Sequence, residues 1–148
     1  KEYPNLCVMR TFSKAYGLAA IRLGYAIASA NVASALRAVG LPFGISSIAQ
    51  AAGLAALAPP AQAELRARVT QLNSERARVV AELGALCAPA PEGNFVWLPL
   101  GDRSVEFAQK CEAQALSVRL FVGVGVRVTI AEPPANDRLI TIAREFVP

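Results

Sequence analysis

The 148-residue sequence predicts an α/β fold. Three observations predict it: short apolar runs of strand length, longer segments with apolar residues at helical spacing, and Pro and Gly clusters between the two kinds of segment.

Leu6-Cys7-Val8-Met9 is short and continuously apolar, and reads as a buried strand of a parallel sheet. The polar loop from Arg10 to Gly17 follows, and Gly17 to Ile21 is expected to make a short helical turn. Leu23 to Ala28 reads as a second buried strand. Asn31 is placed to cap a helix through about Ala38, with Gly40 at its end. Ser47 and Gln50 resemble a capping box ahead of Ala51 to Leu57, and Pro59-Pro60 breaks that helix. From about Ala61 to Leu83, the residues Leu65, Val69, Leu72, Val79, Val80 and Leu83 share one helical face.

Beyond Pro89 and Pro91 the pattern changes. Asn94 to Leu98 reads as a strand in which Trp97, alternating with Phe95, is expected in the core. Ser104 to Ala115 is amphipathic and helical. Ser117 to Phe121 and Val126 to Ile130 are β-rich runs joined by a turn at Gly123 and Gly125. Pro133-Pro134 leads into a last helix, about Ala135 to Phe146. The ending is therefore a βαββα unit behind a long helix. The boundary is expected near Pro59-Pro60, giving pieces 1–60 and 61–148. The first piece is too short to cover a buried sheet on both faces, which predicts that neighbouring elements lie outside this chain.

Composition narrows the function. Hydrophobic residues are 54% and charged residues 18%, more apolar than an average soluble domain, so the excess must be buried in a core or against partner surface. The formal charge of +4 is spread along the chain without a basic stripe, which argues against nucleic-acid binding. The absence of histidine excludes Ser-His-Asp and Cys-His catalysis and His-ligated metals within the chain. Cys7, Cys87 and Cys111 form no C-x-x-C pair and read as reduced core thiols, which points to the cytoplasm. No uncharged apolar run of about 18 residues and no signal peptide is visible, so no membrane partner is expected. The sequence starts at Lys1 rather than Met, which reads as a fragment.

One stretch carries candidate chemistry. Ser13-Lys14 stands at the end of an apolar run, and Arg22 precedes the next one. A lysine in an apolar pocket can lose its proton and act as a nucleophilic amine. A phosphate beside it would take an Arg fork and hydroxyl donors, which Thr11, Ser13 and Arg22 supply. Taken alone, a loop lysine is ordinarily a solvated charge, and Ser and Thr are ordinary turn formers.

The string Thr11-x-Ser13-Lys14-Ala15-Tyr16-Gly17-Leu18-Ala19-x-x-Arg22-x-Gly24-Tyr25 resembles the lysine signature of fold-type I, class I/II aminotransferases, in the histidinol-phosphate and aromatic amino acid branch. The resemblance continues through Leu41-Pro42-Phe43-x-x-Ser46-Ser47-x-x-Gln50-Ala51-Ala52, through Asn94-Phe95-Val96-Trp97-Leu98-Pro99-Leu100-Gly101 and through Gly125-Val126-Arg127-Val128-Thr129-Ile130. It runs from Lys1 to Pro148 and covers roughly the C-terminal two-fifths of the family's length.

The resemblance implies the end of a large domain (1–60) that binds pyridoxal 5'-phosphate, followed by a connecting helix and a small α/β domain (61–148). It implies that Lys14 bonds the cofactor covalently and moves protons, that Ser13 and Arg22 bind its phosphate with Thr11 assisting, and that Arg127 clamps the substrate carboxylate. Asn94 is a weaker substrate-binding candidate, and Arg119 lies where the substrate side chain would be. Tyr16, Tyr25 and Phe43 would line the pocket or a homodimer contact. The implied reaction moves an amino group between an aromatic amino acid and a 2-oxo acid. Histidinol phosphate is the alternative substrate, a threonine-phosphate decarboxylase the alternative chemistry, and a cofactor-dependent regulator behind a DNA-binding module the alternative class. Leu120 and Val122 replace more usual Pro or small residues, which leaves side-chain specificity open. The acid that pairs with the pyridinium nitrogen, the aromatic that stacks on the ring and a phosphate-binding turn belong to the family's N-terminal region, so this chain alone is expected to be inactive.

Overall fold

The computed structural model describes residues 3–87 and 89–147; Lys1, Glu2, Ala88 and Pro148 lie outside the described residues. The chain forms two compact units, 1–69 and 70–148, and the division falls inside one helix.

In the first unit, β1 (Cys7–Thr11) and β2 (Gly24–Ala28) pair antiparallel, with Thr11 opposite Gly24 and Cys7 opposite Ala28. This corrects the parallel, buried strands expected from sequence. A parallel pair needs a crossover connection, usually a helix. Here the loop 12–23 turns straight back, closed by the Phe12 N–H donating to the Leu23 carbonyl at 3.1 Å. Met9 is 80% and Ile27 61% exposed, because no described element layers both faces of a two-stranded ribbon.

Helix α1 (Ala30–Val39) starts behind Ser29, whose hydroxyl donates to the Pro4 carbonyl instead of capping. Asn31 therefore sits inside the first turn rather than at the cap. Gly40 ends the helix in an extended conformation (φ −68°), not in the left-handed one. Helix α2 (Ser47–Leu57) is capped by Ser46, one residue earlier than expected, whose hydroxyl accepts from the Ala49 N–H at 3.1 Å. The Gln50 carboxamide donates to the Ile45 carbonyl, so no capping box forms. Pro59 and Pro60 do break the helix, but they also open α3 (Pro59–Leu83), where a missing N–H costs nothing.

The second unit holds a core of Val79, Leu83, Val96, Leu98, Phe107, Cys111, Val126, Leu139 and Phe146 with their neighbours. Its sheet has the order β3-β5-β4, from β3 (Phe95–Leu98), β5 (Gly125–Thr129) and β4 (Arg119–Phe121). Both outer strands run antiparallel to β5 and so parallel to each other, with α4 (Ser104–Ala113) as the crossover. The period of two sends Val96, Leu98, Val126 and Val128 into the core. Phe95 and Trp97 consequently face away from it, contrary to expectation; Trp97 instead meets Phe121 edge-on at 5.5 Å. Gly125 is required at the start of β5, because a Cβ there would stand 2.3 Å from the Leu98 carbonyl oxygen.

Helix α4 buries Ser104, Phe107 and Cys111, a helical repeat on one face. Helix α5 (Pro133–Ala143) begins on its two prolines and is followed by a tight turn, Arg144–Phe146. Phe146 closes the core edge-on against Phe107 at 5.0 Å, under the Arg103 guanidinium at 4.2 Å. Among the described residues no helix is long and apolar enough to cross a membrane, and no cluster of His, Cys, Asp and Glu could hold a metal ion.

Candidate active site

The loop between β1 and β2 carries Ser13, Lys14 and Arg22, with Thr11 at its threshold. Phe12 anchors it. That ring is 3% exposed, lies 4.6 Å from the Tyr16 ring and 6.1 Å from the Tyr25 ring, and packs beside Gly53 of α2. Its backbone also stitches both ends of the loop, the N–H to Leu23 and the carbonyl to the Leu18 N–H at 2.9 Å. Phe12 was not singled out from sequence; the signal was a phenylalanine between Thr11 and Ser13 in a largely polar loop.

The Thr11 hydroxyl accepts from the Ser13 N–H at 3.0 Å and so turns the chain at Ser13. Gly17, at φ +69°, donates its N–H to the Lys14 carbonyl at 2.8 Å and closes the turn that presents Lys14. The expected helical turn is a single 3₁₀ turn, Ala19–Ile21. Arg22 ends it at φ +55°, a left-handed conformation that is uncommon for a residue with a side chain. Its guanidinium donates to the Ala19 carbonyl at 2.6 Å. The β1–β2 pairing thus puts all four candidates at one end of one ribbon. Lys14 and Arg22 are exposed and form no ion pair among the described residues.

Beneath this loop is a cavity of about 380 Å³, lined by Ala15, Tyr16, Leu18 and residues of α2 and α3. The Tyr16 hydroxyl at its edge accepts from Gln62 at 3.4 Å. Lys14, Ser13 and Arg22 are not part of its lining. Phe43, in the loop before α2, is fully exposed.

In the second unit Arg127 stands at the centre of β5, opposite Trp97 on one side and Arg119 on the other. Its guanidinium lies 5.2 Å over the Phe95 ring, and that of Arg119 lies 5.4 Å over Phe121. Like charges directly opposite repel, and neither arginine has a carboxylate partner among the described residues. The half-buried Arg127 fork therefore has donors to spare for an anion. Asn94 precedes β3, and its backbone carbonyl accepts from the Ile130 N–H at 3.0 Å. Its described contribution is to the ladder that holds β5.

A buried network missed from sequence lies nearby. Asn136, 1% exposed, accepts from the Ala131 N–H at 3.0 Å and donates to the Ala131 carbonyl at 2.8 Å and to Glu75 at 3.0 Å. Hydrogen bonds from Arg78 and from Asn136 hold the Glu75 carboxyl below its usual range. Arg78 also reaches Asp137 at 2.8 Å. The three cysteines are unpaired; burial pushes the Cys111 thiol up to about 11 and raises that of Cys87.

Comparison with known proteins agrees with these motifs. Residues 1–141 match the family described as Aminotransferase class I and II. A Streptomyces coelicolor protein named aromatic amino acid aminotransferase is 51% identical over 148 residues, which are 99% of this chain and 41% of that protein. The solved histidinol-phosphate aminotransferase of Sinorhizobium meliloti, in complex with pyridoxal-5'-phosphate, superposes with a TM-score of 0.73 at 30% identity, over 97% of this chain and 42% of that one. The L-threonine-O-3-phosphate decarboxylase of Porphyromonas gingivalis shares the fold, with a TM-score of 0.76 at 22% identity over 97% of this chain and 47% of that one. The chain thus spans about two-fifths of the length of the curated relatives it matches. The match over residues 1–141, together with the Ser13-Lys14 to Arg22 loop, identifies this α/β chain as a member of the class I and II aminotransferase family.

Proposed function

We propose that the chain is the C-terminal part of a pyridoxal-phosphate-dependent aminotransferase that exchanges amino groups between aromatic amino acids and 2-oxo acids. Residues 1–60 would complete the cofactor domain, and residues 61–148 would form the connecting helix and small domain. The observation that carries the reading is the joining of Lys14, Ser13, Thr11 and Arg22 on one loop closed at Thr11 and Gly24.

The donor set fits the cofactor. An aldehyde bearing a phosphate asks for a primary amine and for cationic and hydroxyl donors. Lys14 supplies the amine and Ser13 a hydroxyl. Arg22 uses one guanidinium N–H on Ala19 and keeps the others. Thr11 accepts from Ser13 and keeps its own O–H to donate. When bound, the cofactor supplies an electron sink for negative charge at the substrate's α carbon. Lys14 would hold the cofactor through its ε-amine and, once that amine is free, would carry the proton off the substrate's α carbon. The lysine is exposed here, so the dry surroundings that favour a neutral amine would come from surfaces outside this unit. Arg127 would clamp the carboxylate with two parallel N–H donors, a geometry that lysine lacks.

The relatives named as aromatic amino acid aminotransferases support the aromatic substrate. Fold alone does not separate it from histidinol phosphate or from decarboxylation, since solved proteins of both kinds share it. Fully exposed Phe43 and 85% exposed Leu41 support a homodimer that buries this loop. The unpaired cysteines support a cytoplasmic site of action.

The test uses the full-length protein loaded with pyridoxal phosphate. Borohydride reduction and peptide mass mapping should find the cofactor's mass on Lys14, and Lys14→Ala should lose both that mass and transamination. A cofactor mass on another lysine would reject the assignment. Turnover of phenylalanine, tyrosine and histidinol phosphate ranks the substrates, and carbon dioxide release would identify a decarboxylase. Sedimentation velocity reads the dimer.

A further inference from the structure

We propose that Asn136 is a positioning residue that holds Arg127 in place for the substrate carboxylate; this deepens the reading above and rests on it. Asn136 lies in the first turn of α5, behind two prolines that contribute no backbone N–H. Its carboxamide spans both backbone groups of one residue, Ala131, and gives its remaining N–H to Glu75 of α3. A buried amide is costly unless fully paired, and this one is satisfied on every side. Asp137, the next residue, meets Arg78, and Arg78 returns to Glu75 at 2.9 Å. Two adjacent residues of α5 and two of α3, one turn apart, therefore close a polar ring around the end of β5.

That end sets where Arg127 points. The β3–β5 ladder runs from Leu98 opposite Val126 to Phe95 opposite Thr129, and Ile130 adds a last bond to Asn94. Ala131 is the first residue beyond the ladder, and Asn136 is what receives its N–H and its carbonyl. Without that amide, two backbone groups would lose their partners and the strand could fray back toward Arg127, four positions upstream. Arg127 works by geometry, since a bidentate fork tolerates little displacement. A shift of about 1 Å in such a group can cost up to about a hundredfold.

In the full-length enzyme loaded with pyridoxal phosphate, Asn136→Ala should raise the amino-acid KM about tenfold, with kcat within about twofold and cofactor affinity unchanged. In an Arg127→Ala background the same substitution should change KM by less than about twofold, because the group it positions is gone. An equal rise in both backgrounds, or no rise in the parent, overturns the proposal. If Arg127→Ala alone leaves KM at the parent value, the carboxylate assignment itself fails and this inference falls with it. If Arg127→Ala raises KM and Asn136→Ala does not, only the positioning role fails. Should Asn136→Ala not fold, Glu75→Gln carries the test: it keeps an oxygen for the amide and weakens the Arg78 link, and a KM rise of about threefold is expected, with an unchanged value refuting the role.

Discussion

Phe107 is where the second unit is most sensitive to a single side chain. It is fully buried, and its ring meets Phe146 edge-on at 5.0 Å, with Phe146 itself 2% exposed. Truncating a buried Phe to Ala costs about 3–5 kcal/mol, of which about 0.5–1.5 belongs to the aromatic pair. Phe107→Leu keeps most of the apolar volume and should cost about 1–1.5 kcal/mol. A unit of about 80 residues carries roughly 4–12 kcal/mol in total, so the alanine change removes a quarter of it or more. The assay is urea unfolding of the 148-residue chain followed by Trp97 fluorescence. Trp97 is the single tryptophan and lies in β3, so it reports on this unit. With a slope of about 1 kcal/mol per molar urea, the midpoint should fall by about 1 M for Phe107→Leu and about 3 M or more for Phe107→Ala. An alanine variant within about 0.3 M of the parent midpoint would refute the claim that this ring is packed on all sides.

Other consequences follow from the same geometry. Arg127→Lys should raise the substrate KM about tenfold or more in the full-length enzyme while leaving cofactor binding intact, since one ammonium cannot replace a two-pronged fork; equal losses for substrate and cofactor would contradict the clamp. The Glu75 carboxyl is held below its ordinary value of 4.5 in the folded state, so its stabilising contribution is complete above that value and is lost as pH falls through the lowered one. An acid titration of Trp97 fluorescence should accordingly lose part of its slope below pH 4.5 in Glu75→Gln, and a superimposable curve would deny the linkage. With its thiol raised to about 11 by burial, Cys111 should resist alkylation at pH 8 in the native chain and react once urea unfolds it; labelling at the same rate in both states would place it at the surface.

The alternation of strands and helices was legible because each depends on local spacing. The 3.6-residue period held for the C-terminal half of α3, where Val79 and Leu83 are buried with Leu72 and Val80 packed beside them, and for Ser104, Phe107 and Cys111 of α4. Val69, on the same expected face of α3, is exposed. The lysine loop was legible only through its resemblance to the family signature, since Thr11, Ser13, Lys14 and Arg22 taken alone read as ordinary loop residues. Helix starts slipped by two residues at α1, from Asn31 to Ser29, and by one at α2, where Ser46 rather than the adjacent Ser47 takes the cap, because backbone conformation decides between nearby candidates. The facing of Trp97 could not be read from alternation alone, since a period of two gives two equivalent faces and only the packing of α4 and α5 selects the inner one.

By itself, the sequence determined the element types and the set of reactive groups, because helical and strand periodicity and side-chain chemistry belong to the residues. Tertiary structure alone decided that β1 and β2 run antiparallel, that Phe12 pins the lysine loop, and that Asn136 seals the end of the strand bearing Arg127. The contacts of Phe12 with Gly53 and of Asn136 with Glu75 join residues that are distant along the chain. Such choices follow from which groups must share a buried space and find hydrogen-bond partners there, a condition that no local pattern encodes.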